Sequence, residues 1–156
     1  MTITYRPIDA SEAPAFFLAQ SQGFSRDYRS EVMERNQRLG NVARSTAAFD
    51  GETIVGTAGI WEFEMTVPGG SLPCAGVTWV SVSPTHRRRG VLTAMMRRQL
   101  DEIRGHGEAI AALWASEAPI YGRFGYGLAA EDAEITIERT RTRLRHVVPC
   151  TGKCRF

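Results

Sequence analysis

Apolar and polar residues alternate along several stretches of the chain, a pattern that predicts β-strands with two different faces. Residues 2–8 (TITYRPI) form the first stretch, and residues 43–67 form two more around the Asp50-Gly51 dipeptide, which is typical of a hairpin turn. Residues 76–83 (GVTWVSVS) alternate as well. Their alternation predicts one face with Val77, Trp79, Ser81 and Ser83 and an opposite face with Thr78, Val80 and Val82.

The segments between these strands predict helices. Two helices are predicted, over residues 11–22 and over residues 26–39. Asp9 can cap the first helix, an interruption near Gly23 separates the two, and Gly40-Asn41 ends the second. A further amphipathic helix follows residues 76–83. Its predicted inward positions are Leu92, Met95, Met96, Leu100 and Ile103, and its predicted outward positions are Arg97, Arg98, Asp101 and Glu102.

The apolar pattern changes in the last third of the chain. Residues 109–116 (AIAALWAS) are continuously apolar, which predicts a strand covered on both faces in the middle of a sheet. A short helix over residues 117–127 and an alternating strand over residues 131–140 follow. The helix before residues 109–116 should make that strand a parallel neighbour of residues 76–83, so the order of elements predicts an α/β fold.

Composition narrows the class of protein. A chain of 156 residues with 43% hydrophobic and 23% charged residues is typical of one globular domain. The net charge of +2 does not favour nucleic acid as a partner. We find neither an apolar stretch of about 20 residues, as a membrane span requires, nor the pattern of a signal peptide. We therefore expect a cytoplasmic protein without a membrane partner.

The end of the chain differs in charge from the rest. No acidic residue follows Glu138, so we expect a domain over residues 1–140 and a basic tail over residues 141–156. The tail holds three spaced residues of metal-binding type: His146, Cys150 and Cys154. Pro149 and Gly152 disfavour a helix there, and structural zinc takes four protein ligands, so we predict no metal. Aromatic residues are not interleaved with the basic ones, which argues against nucleic-acid binding.

Candidate chemistry begins at Arg87–Gly90 (RRRG), where the strand over residues 76–83 leads into a helix. A helix N-terminus has free backbone amides and a favourable dipole, and both attract a phosphate. Gly90 lets an anion approach the backbone, and Arg88 and Arg89 can add charge-assisted hydrogen bonds. The loop matches neither the Walker pattern nor the dinucleotide pattern. A solvated basic loop remains the alternative.

The segment VSVSPTHRRRGVL resembles the pyrophosphate-binding segment of the GNAT superfamily of acetyl-CoA-dependent N-acetyltransferases. Arg87 and Gly90 fit its Arg/Gln-x-x-Gly-x-Gly/Ala core, whereas Leu92 replaces the second small residue. That departure and the later segment ASEAPIYGRFGYG are similar to the Eis (enhanced intracellular survival) branch. The resemblance implies a GNAT fold, in which a mixed, mostly antiparallel sheet has a splayed parallel pair at its centre and helices on its faces.

The resemblance also implies site residues and a cofactor, acetyl-CoA, with no metal. Tyr121 would be the general acid that protonates the departing thiolate, and the Val82 amide would lie near the thioester oxygen. Tyr121 also follows a central strand, where open α/β sheets place ligands, although a packing role beside Phe124 stays open. The implied cofactor-binding residues are Val80, Ser81, Val82, Arg88, Arg89, Gly90, Val91, Leu92, Thr93, Ser116 and Glu117.

The acceptor site is less defined. Trp79 matches an aromatic position of the family's substrate pocket, and with Trp61 it could stack on a cation, although sheet packing is the alternative for both. Glu62 and Glu64 would favour a cationic acceptor if they face the site. The general base stays open among these two carboxylates and Glu117.

We therefore predict an N-acetyltransferase that moves acetyl to a primary amine, such as an aminoglycoside, a polyamine or a lysine side chain, by direct attack. The alternative is a catalytically incomplete module that binds acetyl-CoA or CoA. A small nucleic-acid-binding domain is a third hypothesis, and it predicts steeply salt-dependent binding. Eis-like enzymes extend beyond a region of this length, so uncovered faces would favour a homo-oligomer.

Overall fold

The computed structural model describes residues 2–39, 42–131, 135–141 and 143. Its helices and strands follow the predicted order. They are β1 (Ile3–Pro7), α1 (Ala13–Gly23), α2 (Ser30–Leu39), β2 (Ser45–Asp50), β3 (Thr53–Val67), β4 (Gly70–Val82), α3 (Val91–Gly105) and β5 (Ile110–Leu113). The predicted features at Gly40-Asn41, His146, Cys150 and Cys154 lie outside the described residues.

The strands form one five-stranded sheet in the order β1-β2-β3-β4-β5. Antiparallel pairing joins β1 through β4, and β4 pairs with β5 in parallel. The predicted hairpin is confirmed: β2 ends at Asp50, which pairs with Thr53 across a turn in which Gly51 has a φ of +61°. A positive φ of this size favours glycine, because a side chain would be strained there. The mixed α/β sheet and the parallel pair are thus confirmed.

The parallel pair is short, and its strands separate. Pairing runs from Cys74 to Val77 on β4 and from Ile110 to Leu113 on β5. Beyond this point β4 continues to Val82 with no β5 partner. Backbone N–H and C=O groups on that side of β4 are therefore open to another partner.

A β-bulge on β4 changes which face its side chains occupy. Thr57 of β3 pairs with Ser81 and Gly59 pairs with Thr78, so two residues of β4 oppose one residue of β3. Trp79 sits in this bulge with a φ of +54°. Its ring packs against Phe17 and the α1 side of the sheet, whereas Val77 packs in the cluster on the α3 side. The prediction that Val77 and Trp79 share a face is wrong, because the extra residue breaks the alternation between them.

α3 has the predicted amphipathic pattern. Met95, Met96 and Ile103 are buried against the sheet, and Leu92 and Leu100 are half-buried beside them. The outward residues Arg97, Arg98 and Asp101 are exposed. Glu102 was also predicted to face outward, but it is half-buried. Its carboxylate accepts a 2.9 Å hydrogen bond from the Arg44 guanidinium.

Arg44 links the end of α3 to the sheet through an ion-pair cluster. Its guanidinium donates two hydrogen bonds to the Glu108 carboxylate, at 2.9 and 2.8 Å, and its Nη1 lies 3.5 Å from a Glu62 carboxylate oxygen. The side chains of Arg44 and Glu108 are each only 7% exposed. The ion pair offsets the free-energy cost of removing the Glu108 carboxylate from water. The Arg44 guanidinium also holds the pKa of Glu108 below its usual value.

Several boundaries differ from the predictions, and β4 begins at Gly70, ahead of the predicted strand over residues 76–83. The predicted helix over residues 26–39 begins at Ser30, and the predicted short helix over residues 117–127 is two separate 3₁₀ turns, Ala118–Ile120 and Gly122–Phe124. Gly122, Gly125 and Gly127 disfavour a continuous α-helix in that segment, and Gly125 ends the second turn with a φ of +91°. The predicted strand over residues 109–116 ends at Leu113, after which Trp114 is 80% exposed.

The last predicted strand, over residues 131–140, is not observed in its described part. Residues 135–138 lie outside any strand, and Arg139–Arg141 forms a 3₁₀ turn. Ile135 and Ile137 are 79% and 61% exposed, so their alternation has no described neighbour to pack on. Without that strand, β5 is half-buried at the edge of the described sheet, not in its middle.

Candidate active site

A cleft opens at the point where β4 and β5 separate. It encloses about 970 Å³ and is lined by the end of α1, the second half of β4, the start of α3 and the segment after β5. These elements are distant in sequence, and the sheet topology brings them to one place. The position agrees with the rule that open α/β sheets bind ligands beyond the carboxyl ends of their strands.

The β4 wall of the cleft holds Trp79 through Val82. The Thr57 hydroxyl donates a 2.7 Å hydrogen bond to the Trp79 carbonyl, and its oxygen lies 3.1 Å from the Ser81 hydroxyl oxygen. Thr57 is fully buried, so this contact braces the bulge from the neighbouring strand. Gly23 of α1 lies so close to Ser81 that a Cβ at position 23 would overlap the serine hydroxyl. The α1 end can therefore approach β4 only with glycine there.

The start of α3 forms a second wall with free backbone donors. Gly90 precedes the helix with a φ of +80°, and the first helical hydrogen bond runs from the Ala94 amide to the Gly90 carbonyl, at 3.0 Å. Within the described part of the chain no side chain caps this end, so the amides of Val91–Thr93 are available for an anion. Each of these residues lines the cleft, as does Arg88. Arg89 is exposed and does not line it.

Arg87, the family-motif arginine, connects two elements of the cleft. Its guanidinium donates a 3.1 Å hydrogen bond to the carbonyl of Gly23, at the end of α1, and a 3.4 Å bond to the carbonyl of Val82. This side chain holds the arginine loop against α1 and β4. It therefore positions the loop as well as adding positive charge to the cleft.

The segment after β5 supplies the third wall, which contains Ser116, Glu117 and Tyr121. Tyr121 is 9% exposed and packs in the cluster on the α3 side of the sheet. Its closest aromatic contact is with Tyr126, at a centroid distance of 6.0 Å, although Phe124 packs in the same cluster. Burial, together with the charge of Glu117, raises the pKa of Tyr121 above its ordinary value. The phenol therefore keeps its proton at neutral pH.

The predicted acceptor residues do not come together. Trp79 lines the cleft, but Glu62 does not: its side chain is 62% exposed and pairs with Arg44 at 3.5 Å. Trp61 packs against Trp79 at 5.7 Å without reaching the cleft, and Glu64 accepts a 3.2 Å hydrogen bond from Ser71. Of the three carboxylates considered as general base, Glu117 alone lines the cleft.

Several lining residues escaped the sequence interpretation. The end of α1 contributes Gln20 and Phe24–Arg26, and the segment after β5 contributes Trp114 and Arg123. No local pattern marks the α1 residues, since their role depends on how α1 crosses β4. Trp114 immediately precedes the segment ASEAPIYGRFGYG, and Arg123 lies within it. Their position in or next to a recognised motif is the signal that could have identified them.

The fold and the cleft together define an acetyltransferase domain, and comparison with known proteins agrees. The acetyltransferase (GNAT) domain family matches residues 4–129, and the chain belongs to this family. An uncharacterised N-acetyltransferase of Streptomyces avermitilis is 56% identical over 128 residues, which are 81% of this chain and 31% of the relative. The N-acetyltransferase Eis of Mycobacterium tuberculosis is 38% identical over 157 residues, covering 97% of this chain and 39% of that protein.

Solved structures support the same assignment. Eis1 from Mycobacterium abscessus superposes with a TM-score of 0.73 and 38% sequence identity, over 82% of this chain and 32% of that chain. The predicted GNAT membership and the likeness to the Eis branch are thereby confirmed. The chain spans about a third of the length of the curated relatives it matches.

Two further observations concern metals and membranes. Among residues 2–39, 42–131, 135–141 and 143, no group of three or more His, Cys, Asp or Glu side chains is placed to hold a metal ion. In the same part of the chain, no helix has both the length and the apolarity needed to cross a bilayer.

Proposed function

We propose that this chain binds acetyl-CoA in the cleft between β4 and β5 and transfers the acetyl group to a primary amine by direct attack. One observation carries the proposal: the separation of the two strands brings free α3 amides, unpaired β4 backbone and the Tyr121 phenol into a single cavity. These are the groups that a pyrophosphate, a pantetheine amide and a departing thiolate require.

The cofactor would lie along the cleft with its pyrophosphate at the start of α3. The amides of Val91–Thr93 and the guanidinium of Arg88 supply donors for the phosphate oxygens. Gly90 leaves open space next to this position, since a Cβ there would have no neighbour within 4 Å. The β4 backbone after the bulge would receive the pantetheine arm, with the Val82 amide near the thioester oxygen.

The acceptor must reach the thioester as a free amine, because an ammonium nitrogen has no lone pair. The nitrogen attacks the thioester carbonyl carbon, and collapse of the tetrahedral intermediate breaks the carbon–sulfur bond. Sulfur leaves with the electron pair and takes the phenolic proton of Tyr121, which later regains a proton from solvent. Counted from the ammonium form, nitrogen loses two protons in all and sulfur gains one, so the products are the acetylated amine, coenzyme A thiol and one released proton. Glu117 is the cleft carboxylate best placed to take protons from the amine, directly or through water.

Calorimetric titration of acetyl-CoA into the purified chain tests the cofactor site. The wild-type chain should bind in the micromolar to submillimolar range that is usual for enzyme substrates. Arg88→Ala should weaken binding about tenfold through the lost phosphate contact. Arg89→Ala is the matched control, because it removes the same charge one residue outside the cleft. Equal losses of affinity in both variants would show that the arginines act through general electrostatic attraction and not through a phosphate contact. No binding by the wild type would contradict the proposal.

A catalytically incomplete module is distinguished by a second assay on the same preparation. Release of coenzyme A thiol, measured with a thiol reagent across a panel of amines, should accompany binding. Binding without release by any amine would favour the module. The cytoplasmic location and self-association of the chain stay predictions. Exposed apolar residues outside the cleft, such as Leu128 and Ile135, favour self-association, and sedimentation at increasing concentration would measure it.

A further inference from the structure

A second cavity, of about 670 Å³, opens between α1 and α2 beside the cleft. Four residues line both spaces: Gln20, Ser25, Arg26 and Trp79. The two cavities therefore share a border at the bulge of β4. A molecule in the second cavity would meet the cofactor cleft across Trp79, close to the β4 backbone that we assign to the thioester end.

The charge of this second cavity is predominantly positive. Arg26, Arg29 and Arg35 line it, and Asp27 is the one carboxylate among the lining residues that the structure describes. None of these arginines forms an ion pair within the described ranges of the chain. Asp27 lines the cavity too, and Glu31 and Glu34 lie in the same stretch of sequence, so the lining residues keep a net positive charge that is partly offset by nearby carboxylates.

The backbone at the end of α1 fixes the position of Arg26. Ser25 has a φ of +53°, its amide donates to the Gln22 carbonyl at 3.0 Å, and the Arg26 amide donates to the Ser21 carbonyl at 2.9 Å. This pair of hydrogen bonds is a Schellman ending, which usually takes glycine at the position of Ser25. Arg26 therefore leaves the helix in a defined direction, at the border between the two cavities.

We propose that this second cavity receives the acceptor and selects a primary amine that also carries an anionic group. The inference rests on the proposed function and names the substrate class of the same site. A carboxylate can form paired hydrogen bonds with a planar guanidinium, and several arginines around one anion favour it over a neutral group. The aromatic faces of Phe17 and Trp79 would cover the carbon chain between the two ends.

This charge argues against the cationic acceptors that the sequence suggested. Glu62 and Glu64, which motivated that expectation, lie outside both cavities. A polyamine would bring like charges next to the three arginines, which raises the free energy of the complex. A zwitterionic amine would instead place its anionic end among these groups and keep its nitrogen for the acetyl transfer.

The test compares 4-aminobutanoate with 4-aminobutanamide, which differ only in the charge at one end, and with 1,4-diaminobutane. Equilibrium binding of each amine to the full chain is measured calorimetrically, with and without saturating coenzyme A, and turnover is measured with acetyl-CoA. The variant is Arg29→Gln/Arg35→Gln. The control is Arg97→Gln/Arg98→Gln, which removes the same charge from the exposed face of α3.

We expect the carboxylate amine to bind about tenfold more tightly than the amide, as one charge-assisted hydrogen bond would produce. The cavity variant should lose most of this preference, and the α3 control should keep it. Equal or tighter binding of the diamine, or an unchanged preference in the cavity variant, would overturn the inference. So would loss of carboxylate binding when coenzyme A is present, because the arginines would then hold the cofactor's own phosphates.

The two proposals fail in different ways. Selective binding of the carboxylate amine without turnover of any amine would contradict the proposed transferase and support the acceptor cavity. Turnover that prefers the diamine would support the transferase and overturn the acceptor cavity.

Discussion

The Thr57 hydroxyl donates a 2.7 Å hydrogen bond to the carbonyl oxygen of Trp79, across the two strands at the bulge of β4. Trp79 has a φ of +54°, a conformation that costs free energy for a non-glycine residue. Packing against α1 and the hydrogen bond from Thr57 offset this cost. A buried hydroxyl group therefore helps to hold the bulge, and the bulge turns Trp79 toward the border between the two cavities.

Replacing that hydroxyl tests its role. Thr57→Val keeps the shape of the side chain and leaves the buried Trp79 carbonyl without this donor, so the free energy of unfolding should fall by about 1–3 kcal/mol. Acetyl-CoA binding should weaken too, because the β4 backbone after the bulge is less well fixed. Denaturant unfolding and calorimetry measure both effects. Thr57→Ser retains the hydroxyl and should behave more like the wild type; a Thr57→Val chain with unchanged affinity would separate the bulge from cofactor binding.

Tyr121 and Tyr126 offer a matched pair for the general acid. Tyr121→Phe should keep acetyl-CoA affinity and lower kcat about a hundredfold, since the thiolate then departs without its proton donor. Tyr126→Phe removes a buried hydroxyl that has no hydrogen-bond partner among the described residues, so kcat should hardly change. Stopped-flow or steady-state thiol release measures the rates. Similar rates for both variants would contradict the role of Tyr121.

The pH dependence of turnover provides an independent check on the same residue. A general acid acts in its protonated form, and the pKa of Tyr121 is raised above its ordinary value of 10.0 by burial and by Glu117. The phenol thus stays protonated throughout the neutral and mildly alkaline range. The kcat profile of the wild type should show no loss from this group below about pH 10, and a fall centred near neutrality would have to come from another residue.

Gly90 has a positive φ that favours glycine, and it also lines the cleft that we assign to the cofactor. Gly90→Ala should lower the free energy of unfolding by about 1–2 kcal/mol, because an alanine is strained at a φ of +80°. It should also weaken acetyl-CoA binding, since the strain falls on the loop that presents the α3 amides. Gly69→Ala, at a φ of +93° in the β3–β4 turn, is the control, because it introduces a similar backbone strain away from the cofactor cleft. Equal affinity in the two variants would argue against a phosphate site at α3.

The Arg44–Glu108 pair should make stability depend on pH. Its guanidinium lowers the pKa of Glu108 below the ordinary value of 4.5, so the unfolded chain binds more protons in acid. The contribution is complete above about pH 4.5 and is lost as the pH falls through the folded pKa of Glu108. Arg44→Met leaves a buried carboxylate unpaired and should cost roughly 3 kcal/mol at neutral pH.

Unfolding of both chains between pH 3 and 7 measures this difference. The gap between wild type and Arg44→Met should narrow in acid. The Arg6–Glu12 pair lowers the pKa of Glu12 to about 2 by hydrogen bonding, but it is present in both chains and cancels in the comparison. A gap that does not change with pH would show that Arg44 stabilises the fold through packing and not through the charge of Glu108.

Local pattern was sufficient for most elements. The hairpin at Asp50-Gly51 and the amphipathic face of α3 depend on residues that are close in sequence, and both were predicted. The boundaries at Ser30 and Leu113 were missed, because helix and strand ends depend on neighbours that a local pattern does not contain. The alternating residues Ile135 and Ile137 lie outside any strand in the structure, because a strand requires a partner for its backbone.

The sequence by itself determined the family, the order of the elements and the arginine loop before α3, since motif and periodicity are properties of consecutive residues. Tertiary structure decided the site: the bulge turns Trp79 away from the face of Val77, Arg88 rather than Arg89 enters the cleft, and Glu62 pairs with Arg44 instead of facing an acceptor. It also assembled the arginine-lined cavity from α1 and α2. These outcomes depend on strand register and on the contacts between distant elements, and neither can be read from alternation along one segment.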